Sequence, residues 1–169
     1  MRILRGDDIM NSLLLVIDCQ KGFINNYTRQ YVDKINELID CKKYDFVAFT
    51  RFINNEESIF SKKLNYKGCI NEDEQEIVID TKGYKVFDKN IYSAVNEELE
   101  QYIKQNDINE VYLCGFDTDA CIQKNAIDLF ERNMEVYVLK DYCMSSEGIE
   151  NHDFTIENLK RLIGYRYVI

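Results

Sequence analysis

The sequence predicts an α/β fold, a three-layer sandwich in which helices cover both faces of a six-stranded parallel sheet. Two observations carry this prediction. Short, continuously apolar runs recur along the chain, and segments with helical spacing of apolar residues separate most of them. Strands with no apolar–polar alternation are typical of sheets that are buried on both faces. The chain has 169 residues, of which 46% are hydrophobic, so we expect a single domain over residues 1–169.

Six apolar runs are the predicted strands. The first, LLLVI, ends at Asp18, and the fourth, VYLCG, ends at Gly115. Such runs of four or five residues suit buried strands rather than helices. The predicted strands cover residues 13–17, 46–49, 84–87, 111–115, 136–139 and 165–169.

Amphipathic segments between these runs are the predicted helices. They cover residues 28–40, 94–105, 119–132 and 152–163, with a shorter helix near 56–63. The helix at 119–132 is the most regular, because its apolar residues, which include Phe130, fall on one stripe, with Thr118 or Asp119 as the N-cap. Phe154 is placed on the buried stripe of the last helix. Residues 51–83 are otherwise weakly periodic and predict a long loop that shapes the pocket.

The charge and the cysteine content restrict the classes of function. The formal net charge is −9, which argues against binding to nucleic acid or to anionic membranes. The apolar run near the start, at residues 13–17, is too short for a signal peptide or a membrane span. The six cysteines include no CxxC pair. We therefore expect a cytoplasmic protein with reduced thiols.

Charged and nucleophilic residues follow the ends of the predicted strands. Asp18, Arg51 and Lys89 follow the first three strands, Cys121 comes six residues after Gly115, and Asp141 follows the fifth strand. In parallel α/β sheets, ligands bind beyond the carboxyl ends of the strands, where the strand order reverses. These residues are therefore the first candidates for a site.

Cys121 has the strongest argument of any single residue. It projects about 100° away from the apolar stripe of its helix, and it lies in the first turn, where the free N–H groups favour an anion. A helix start lowers the pKa of a thiol and makes it a nucleophile. The alternative is that Cys121 is a small buried apolar residue, as free cysteines often are.

Asp18 and Lys89 each have two interpretations. Asp18 either caps the loop that follows its strand or accepts a proton, and capping is the commoner role of such an Asp. Lys89 is either a solvated surface residue or a buried amine that balances the charges of an Asp and a thiolate.

Three motifs resemble the signature regions of the isochorismatase-like cysteine hydrolases. They are LLLVIDCQKGF at 13–23, VFDKNIYSA at 86–94, and the segment that begins VYLCGFDTDACIQKN at 111 and continues to 146. The segment at 50–69 also resembles a subgroup of cysteine hydrolases. The resemblance covers residues 12–169 and implies a sheet of order 3-2-1-4-5-6.

The resemblance implies a role for each candidate. Asp18 matches the catalytic Asp that accepts the proton of the nucleophile, Lys89 matches the catalytic Lys that steadies the anions, and Cys121 matches the nucleophile. The family also has a non-proline cis peptide bond, here between Phe116 and Asp117. The amides of Asp117 and Cys121 are then expected to hold an oxyanion.

The substrate pocket is expected to include three side chains. Phe23 matches an aromatic residue that lines the pocket in the family, and Arg51 and Phe116 are the other two predicted pocket residues.

The sequence departs from the metal-using members of the family, the nicotinamidases. Those carry an Asp-x-His pair after the second strand, where this chain has Arg51 and Phe52. The single histidine, His152, lies in a late helix and is expected to cap or pack rather than to bind a metal. We therefore expect no metal and no cofactor. Asp117 replaces an alanine common in the family, and its side chain could favour a cationic substrate.

Three hypotheses for the function follow. The first is a metal-independent cysteine hydrolase that cleaves C–N bonds of a small amide or carbamoyl-type substrate through a thioester. The second is an isochorismatase-type vinyl-ether hydrolase. The third is a non-catalytic protein that binds a small molecule, or a scaffold, because a fold does not fix a function. A small-molecule substrate is the expected partner, and self-association is open.

Overall fold

The computed structural model describes residues 10–169, and the first nine residues of the expected domain lie outside that range. Five parallel strands form one sheet: β1 (Asn11–Ile17), β2 (Phe46–Phe52), β3 (Lys85–Lys89), β4 (Ile108–Gly115) and β5 (Glu135–Cys143). Their order across the sheet is β3-β2-β1-β4-β5. The central strand β1 pairs with both β2 and β4, so the strand order reverses between β1 and β4.

Six α-helices connect or follow these strands in the described part of the chain. They are α1 (Arg29–Asp40), α2 (Ile59–Leu64), α3 (Glu72–Gln75), α4 (Glu97–Gln105), α5 (Gln123–Glu131) and α6 (Ile149–Ile163). A π-helical turn, Thr118–Ile122, precedes α5. Over residues 10–169, no helix is both long enough and apolar enough to span a bilayer.

Helices pack on both faces of the sheet because side chains alternate along each strand. Leu13, Leu15 and Ile17 of β1 join the core that contains apolar residues of α4, α5 and α6. Leu14 and Val16 point the opposite way and pack with α1. The predicted α/β sandwich with a parallel sheet is therefore confirmed, and its layers follow from the unbroken apolar runs.

The predicted sixth strand at 165–169 is wrong. Tyr165–Tyr167 form a 3₁₀ turn after Gly164, and only Val168 makes an isolated parallel bridge, to Val138. The turn occupies three of the five residues, so too few are left to form a ladder. The sheet order is accordingly 3-2-1-4-5 rather than 3-2-1-4-5-6.

One glycine brings β4 close to the central strand. Gly115 has φ of +116°, and a Cβ atom at this position would lie 2.1 Å from the carbonyl oxygen of Ile17. Only glycine tolerates both the backbone conformation and this approach. Gly115 therefore allows the chain after β4 to pass directly beside the end of β1, where the candidate site lies.

Candidate active site

Three elements bring Asp18, Lys89 and Cys121 together at the carboxyl end of the sheet. Asp18 follows β1, Lys89 is the last residue of β3, and Cys121 lies in the π-helical turn after β4. All three side chains are buried, with exposed fractions of 0%, 6% and 6%. Lys89 Nζ lies 2.6 Å from Asp18 Oδ2 and 3.3 Å from Cys121 Sγ. We call these three residues the triad.

Asp18 is held in place by the neighbouring strand. The hydroxyl of Thr50 in β2 donates a hydrogen bond of 2.6 Å to Asp18 Oδ1, and it accepts one of 3.1 Å from the Asp18 backbone N–H. The backbone of Asp18 has φ of 46°, in the left-handed region that Asp tolerates better than most residues. Thr50 thus fixes one carboxylate oxygen and leaves the other to face Lys89.

The ammonium group of Lys89 uses all three of its protons. Besides Asp18 and Cys121, it donates a hydrogen bond of 3.1 Å to the carbonyl oxygen of Ile91. Its Nζ also lies 5.1 Å from the ring centroid of Phe52. Burial opposes the charge on Lys89, but Asp18 and Cys121 together raise its pKa above the usual value. Lys89 is therefore a fixed cation in a buried site.

The expectation that the helix start lowers the thiol pKa is wrong in its direction. Burial, followed by the negative charge of Asp18, raises the pKa of Cys121 well above its usual value, and Lys89 offsets this only in part. The residue lies in a π-helical turn rather than in a regular first helical turn. Cys121 is therefore a neutral thiol at rest, and it needs a proton acceptor to react. Asp18 is the candidate acceptor, because its negative charge acts on that thiol and its carboxylate is ion-paired with Lys89, which contacts Sγ.

Asn125, which was not among the predicted site residues, links Cys121 to the loop after Lys89. Its Nδ2 donates hydrogen bonds to the carbonyl oxygens of Cys121 (2.7 Å) and Tyr92 (3.2 Å). Its Oδ1 accepts a hydrogen bond of 2.8 Å from the N–H of Ala94. A signal was present, since Asn125 is four residues after Cys121 and therefore on the same helical face.

The predicted cis peptide bond between Phe116 and Asp117 is present. The Asp117 carboxylate accepts two hydrogen bonds of 2.7 Å from Ser146, one from its N–H and one from its hydroxyl. Burial raises the pKa of Asp117 to about 6, although the bonds to Ser146 oppose this. That the amides of Asp117 and Cys121 hold an oxyanion stays a prediction.

The expected N-cap of the helix at 119–132 is also wrong. Neither Thr118 nor Asp119 caps it: the Thr118 hydroxyl is bonded to His152, and no side-chain cap is formed at the start of the π-helical turn or of α5. Asp119 Oδ1 is buried and has no hydrogen-bond partner among residues 10–169. The irregular turn accounts for this, because a π-helical turn does not present its first N–H groups to a side-chain cap in the α-helical way.

A cavity of about 580 Å³ opens above Cys121. Side chains from six regions of the chain line it. They include Phe23, Asn25, Phe52, Phe60, Leu64, Tyr66, Tyr92, Asp117, Asp119, Cys121, Ser146 and Glu147. Most of these residues were not predicted individually, because residues 59–66 and 146–147 lie in segments where apolar residues show no clear helical or strand periodicity. Phe23 lines the cavity, as predicted.

Two predicted pocket residues do not line the cavity. Arg51 points away from it and forms a bidentate ion pair with Asp88, at 2.7 and 2.8 Å. The next residue of β2, Phe52, faces the cavity instead, because successive side chains of a strand point to opposite faces. Phe116 is fully buried in the core that packs against α1.

The residues of this site do not fit a transition metal. Within residues 10–169, no group of three or more His, Cys, Asp or Glu side chains is arranged to hold an ion. His152 Nδ1 is hydrogen-bonded to the Thr118 hydroxyl at 2.8 Å, and burial lowers the pKa of this histidine. Zinc sites need several imidazole, thiolate or carboxylate ligands together.

Comparisons with known proteins bear on the family of this chain. A family model described as "Isochorismatase domain" matches residues 12–166. The chain is 39% identical over 67 residues to isochorismatase family protein 2A of Dictyostelium discoideum, a match that covers 38% of this chain and 34% of that protein. The chain thus spans about a third of the length of that relative.

Solved structures share the fold. An isochorismatase-like hydrolase from Alkaliphilus metalliredigens superposes with a TM-score of 0.81 at 15% identity, covering 94% of this chain and 93% of that one. The pyrazinamidase of Pyrococcus horikoshii, solved in complex with zinc, gives a TM-score of 0.78 at 22% identity, covering 94% and 97%. At these identities the likeness establishes the fold alone.

Proposed function

Because this chain belongs to the isochorismatase family, we propose that it is a cysteine hydrolase that works without a metal and cleaves C–N bonds in a small amide or carbamoyl-type substrate. One observation carries the proposal. A buried thiol, ammonium and carboxylate lie in contact, with Lys89 Nζ 2.6 Å from Asp18 and 3.3 Å from Cys121, and Cys121 lines a cavity. A thiol that only filled space in the core would not need two buried charges beside it.

In the first half of the reaction the enzyme becomes acylated. Asp18 takes the proton of the Cys121 thiol while Sγ forms a bond to the carbonyl carbon of the substrate. Lys89 stabilises the developing thiolate across 3.3 Å. The amides of Asp117 and Cys121 hold the oxyanion. Asp18 then gives its proton to the leaving nitrogen, and the C–N bond breaks to leave a thioester and ammonia or an amine.

In the second half, water resolves the thioester. Asp18 accepts a proton from the water as its oxygen bonds to the acyl carbon. The C–S bond breaks, and Cys121 recovers its proton from Asp18. Each proton that Asp18 accepts is returned, so the triad ends in its starting state. A neutral resting thiol beside a carboxylate suits this sequence, because the proton leaves only when the nucleophile attacks.

Ammonia release from a panel of small amides, ureas and carbamoyl compounds tests this function. We expect at least one compound to be hydrolysed by the wild-type chain and Cys121→Ala to reduce the rate by about 10³-fold or more. Cys41→Ala is the matched control, because Cys41 is exposed and lies outside the cavity. Ammonia release that is as fast in Cys121→Ala as in wild type would end the nucleophile assignment.

The same preparation tests metal independence and the alternatives. Dialysis against a chelator is expected to leave the hydrolysis rate unchanged, and loss of activity that zinc restores would contradict this part of the proposal. Cleavage of a vinyl ether that persists in Cys121→Ala would favour the isochorismatase-type reaction. Binding without turnover of any compound would favour the non-catalytic protein. A small-molecule substrate and a cytoplasmic location are part of the proposal, and self-association stays open.

A further inference from the structure

The charged side chains that line the cavity are all carboxylates. They are Asp117, Asp119 and Glu147, which we call the acidic wall. No lysine or arginine is among the lining residues in the described part of the chain. A cavity with walls of one charge sign raises the local concentration of ligands of the opposite sign.

The triad does not neutralise the acidic wall. Its two charges, on Asp18 and Lys89, form an ion pair of 2.6 Å. All three protons of the Lys89 ammonium are directed at Asp18, Cys121 and the carbonyl oxygen of Ile91. Lys89 therefore has no proton left for the wall, and the negative charge of the wall remains available to a ligand.

Asp119 has an unsatisfied atom beside the nucleophile. Its Oδ1 is buried and has no hydrogen-bond partner among residues 10–169, whereas both oxygens of Asp117 are bonded to Ser146. Buried carboxylate oxygens are stable when a donor reaches them. Asp119 lies two residues before Cys121 and lines the same cavity, so its negative charge acts on a ligand bound there.

Five aromatic rings also line the cavity. Phe23, Phe52, Phe60, Tyr66 and Tyr92 all line the cavity. Phe60 stands edge-to-face against both Phe52 and Tyr92, with ring centroids 5.2 and 4.9 Å apart. Aromatic faces attract cations, and they also cover the alkyl chain that carries one. Carboxylates and aromatic rings in one cavity are the combination that recognises an organic cation.

We propose that the substrate of this site is cationic: a small amide or carbamoyl compound that also carries a protonated amine, held by the acidic wall while Cys121 attacks the carbonyl carbon. This inference rests on the proposed function for the cleaved bond. It specifies a positive charge on the part of the substrate that remains after the C–N bond is cleaved, and it predicts that anionic substrates are excluded.

Three probes of nearly equal shape separate charge from size. They are 5-aminopentanamide, which carries an ammonium group, hexanamide, in which a methyl group replaces that ammonium, and adipamate, in which a carboxylate replaces it. Their affinities are measured by calorimetry on the Cys121→Ala chain, which cannot turn them over. We expect the cation to bind about tenfold more tightly than the neutral amide and the anion to bind most weakly.

Two variants in the same background test the residues named. Asp117→Asn keeps both hydrogen bonds to Ser146, since the amide oxygen accepts from its N–H and the amide nitrogen donates to its hydroxyl. Asp119→Asn removes the charge beside Cys121. Each is expected to reduce the ratio of cation to neutral affinity. An unchanged ratio in both variants would overturn the assignment of the wall.

The comparison among the three probes is decisive even if a variant fails to fold. Equal affinity for the cation and the neutral amide, tighter binding of the anion, or no measurable binding of the cation would overturn the inference. Hydrolysis by the wild-type chain is scored separately. A preference for the cation without any ammonia release would overturn the proposed function alone, and ammonia release with a preference for neutral amides would overturn this inference alone.

Discussion

Two groups of residues, the triad and the acidic wall, differ in how their polar groups are satisfied. In the triad, Asp18 and Lys89 neutralise each other. The Thr50 hydroxyl donates to the second carboxylate oxygen of Asp18, and the carbonyl oxygen of Ile91 accepts a hydrogen bond from Lys89. In the acidic wall, Asp117 is bonded to Ser146 but is not paired with a cation, and Asp119 Oδ1 has no partner within residues 10–169. The triad is complete without a ligand, whereas the wall lacks a positive charge that a ligand can supply.

This difference separates chemistry from selectivity. A complete set of charges holds the nucleophile ready for any carbonyl carbon that reaches it. The unpaired negative charge of the acidic wall lowers the free energy of unfolding until a cationic ligand binds. The wall therefore discriminates between ligands by their charge. Substitutions in the two parts are therefore expected to behave differently.

Removing the charge of Asp18 is expected to have the largest effect on stability. Asp18→Asn leaves the ammonium of Lys89 buried without its counter-ion, which costs about 3–5 kcal/mol in the free energy of unfolding. It also removes the proton acceptor and abolishes hydrolysis. Urea denaturation measures the first effect. Asp18→Asn combined with Lys89→Met is expected to recover most of the stability, because no unpaired charge remains.

Asp88→Asn is the matched control for this prediction. Asp88 pairs with Arg51 on the neighbouring strand, but both side chains are largely exposed, at 48% and 39%. Exposed pairs contribute about 0–1 kcal/mol. If Asp18→Asn costs no more than Asp88→Asn, the buried triad is not held together as described.

Asp117 in the acidic wall is expected to make stability depend on pH. Burial raises its pKa to about 6, so between pH 4 and 6 the folded chain keeps a proton that the unfolded chain has lost. The stability that this proton gives is present below pH 4 and is lost as the pH rises through 6. The free energy of unfolding of Asp117→Asn should therefore rise relative to that of wild type as the pH increases from 4 to 7, by about 2–3 kcal/mol in total. Urea denaturation at several pH values measures this difference.

The neighbours of Asp117 are part of this prediction. The charges of Asp119 and Asp18 both raise the pKa of Asp117, and Ser146 lowers it. Glu131→Gln, on the exposed end of α5, is the control and should show no such gain. Parallel pH profiles for wild type and Asp117→Asn would mean that Asp117 is not a buried, uncompensated carboxylate.

Asn125 connects the two parts and is expected to have the smallest effect. Asn125→Ala frees two carbonyl groups and one N–H, which costs about 1–2 kcal/mol, and it loosens both Cys121 and the loop that contacts Lys89. We expect kcat to fall about tenfold with a smaller change in KM.

Asn96→Ala provides the comparison for Asn125. Asn96 caps α4 through a hydrogen bond of 3.0 Å to the Leu99 N–H, so its loss costs a similar free energy far from the chemistry. Equal kcat values for the two variants would show that Asn125 acts on stability alone.

The sheet could be predicted because its signal is local. Each of the five strands contains a run of apolar residues, and burial on both faces requires such runs. The sixth predicted strand, at 165–169, also contains apolar residues, but pairing depends on a partner strand and on the turn after Gly164. Phe130 and Phe154 were expected on the buried faces of their helices and are 42% and 74% exposed. The spacing of apolar residues along a helix does not show how far the strand or helix packed against it extends.

The triad could be predicted because strand ends converge in a parallel sheet. Asp18, Lys89 and Cys121 each follow an apolar run, and the three motifs resemble those of one family. The direction of the Cys121 pKa could not be predicted, because it depends on burial and on the distance to Asp18, which are tertiary properties. Residues 51–83 were expected to shape the pocket, and Phe60 and Tyr66 do line it, but these two could not be named in advance because the segment is only weakly periodic.

The most direct test of the account is the mass of the enzyme during turnover. The wild-type chain is mixed with an amide that it hydrolyses, quenched in acid, digested and analysed by mass spectrometry. We predict that the acyl group of the substrate is found on the peptide that contains Cys121 and on no other cysteine peptide. Turnover with an unmodified Cys121 peptide, or with the acyl group on another residue, would contradict the account.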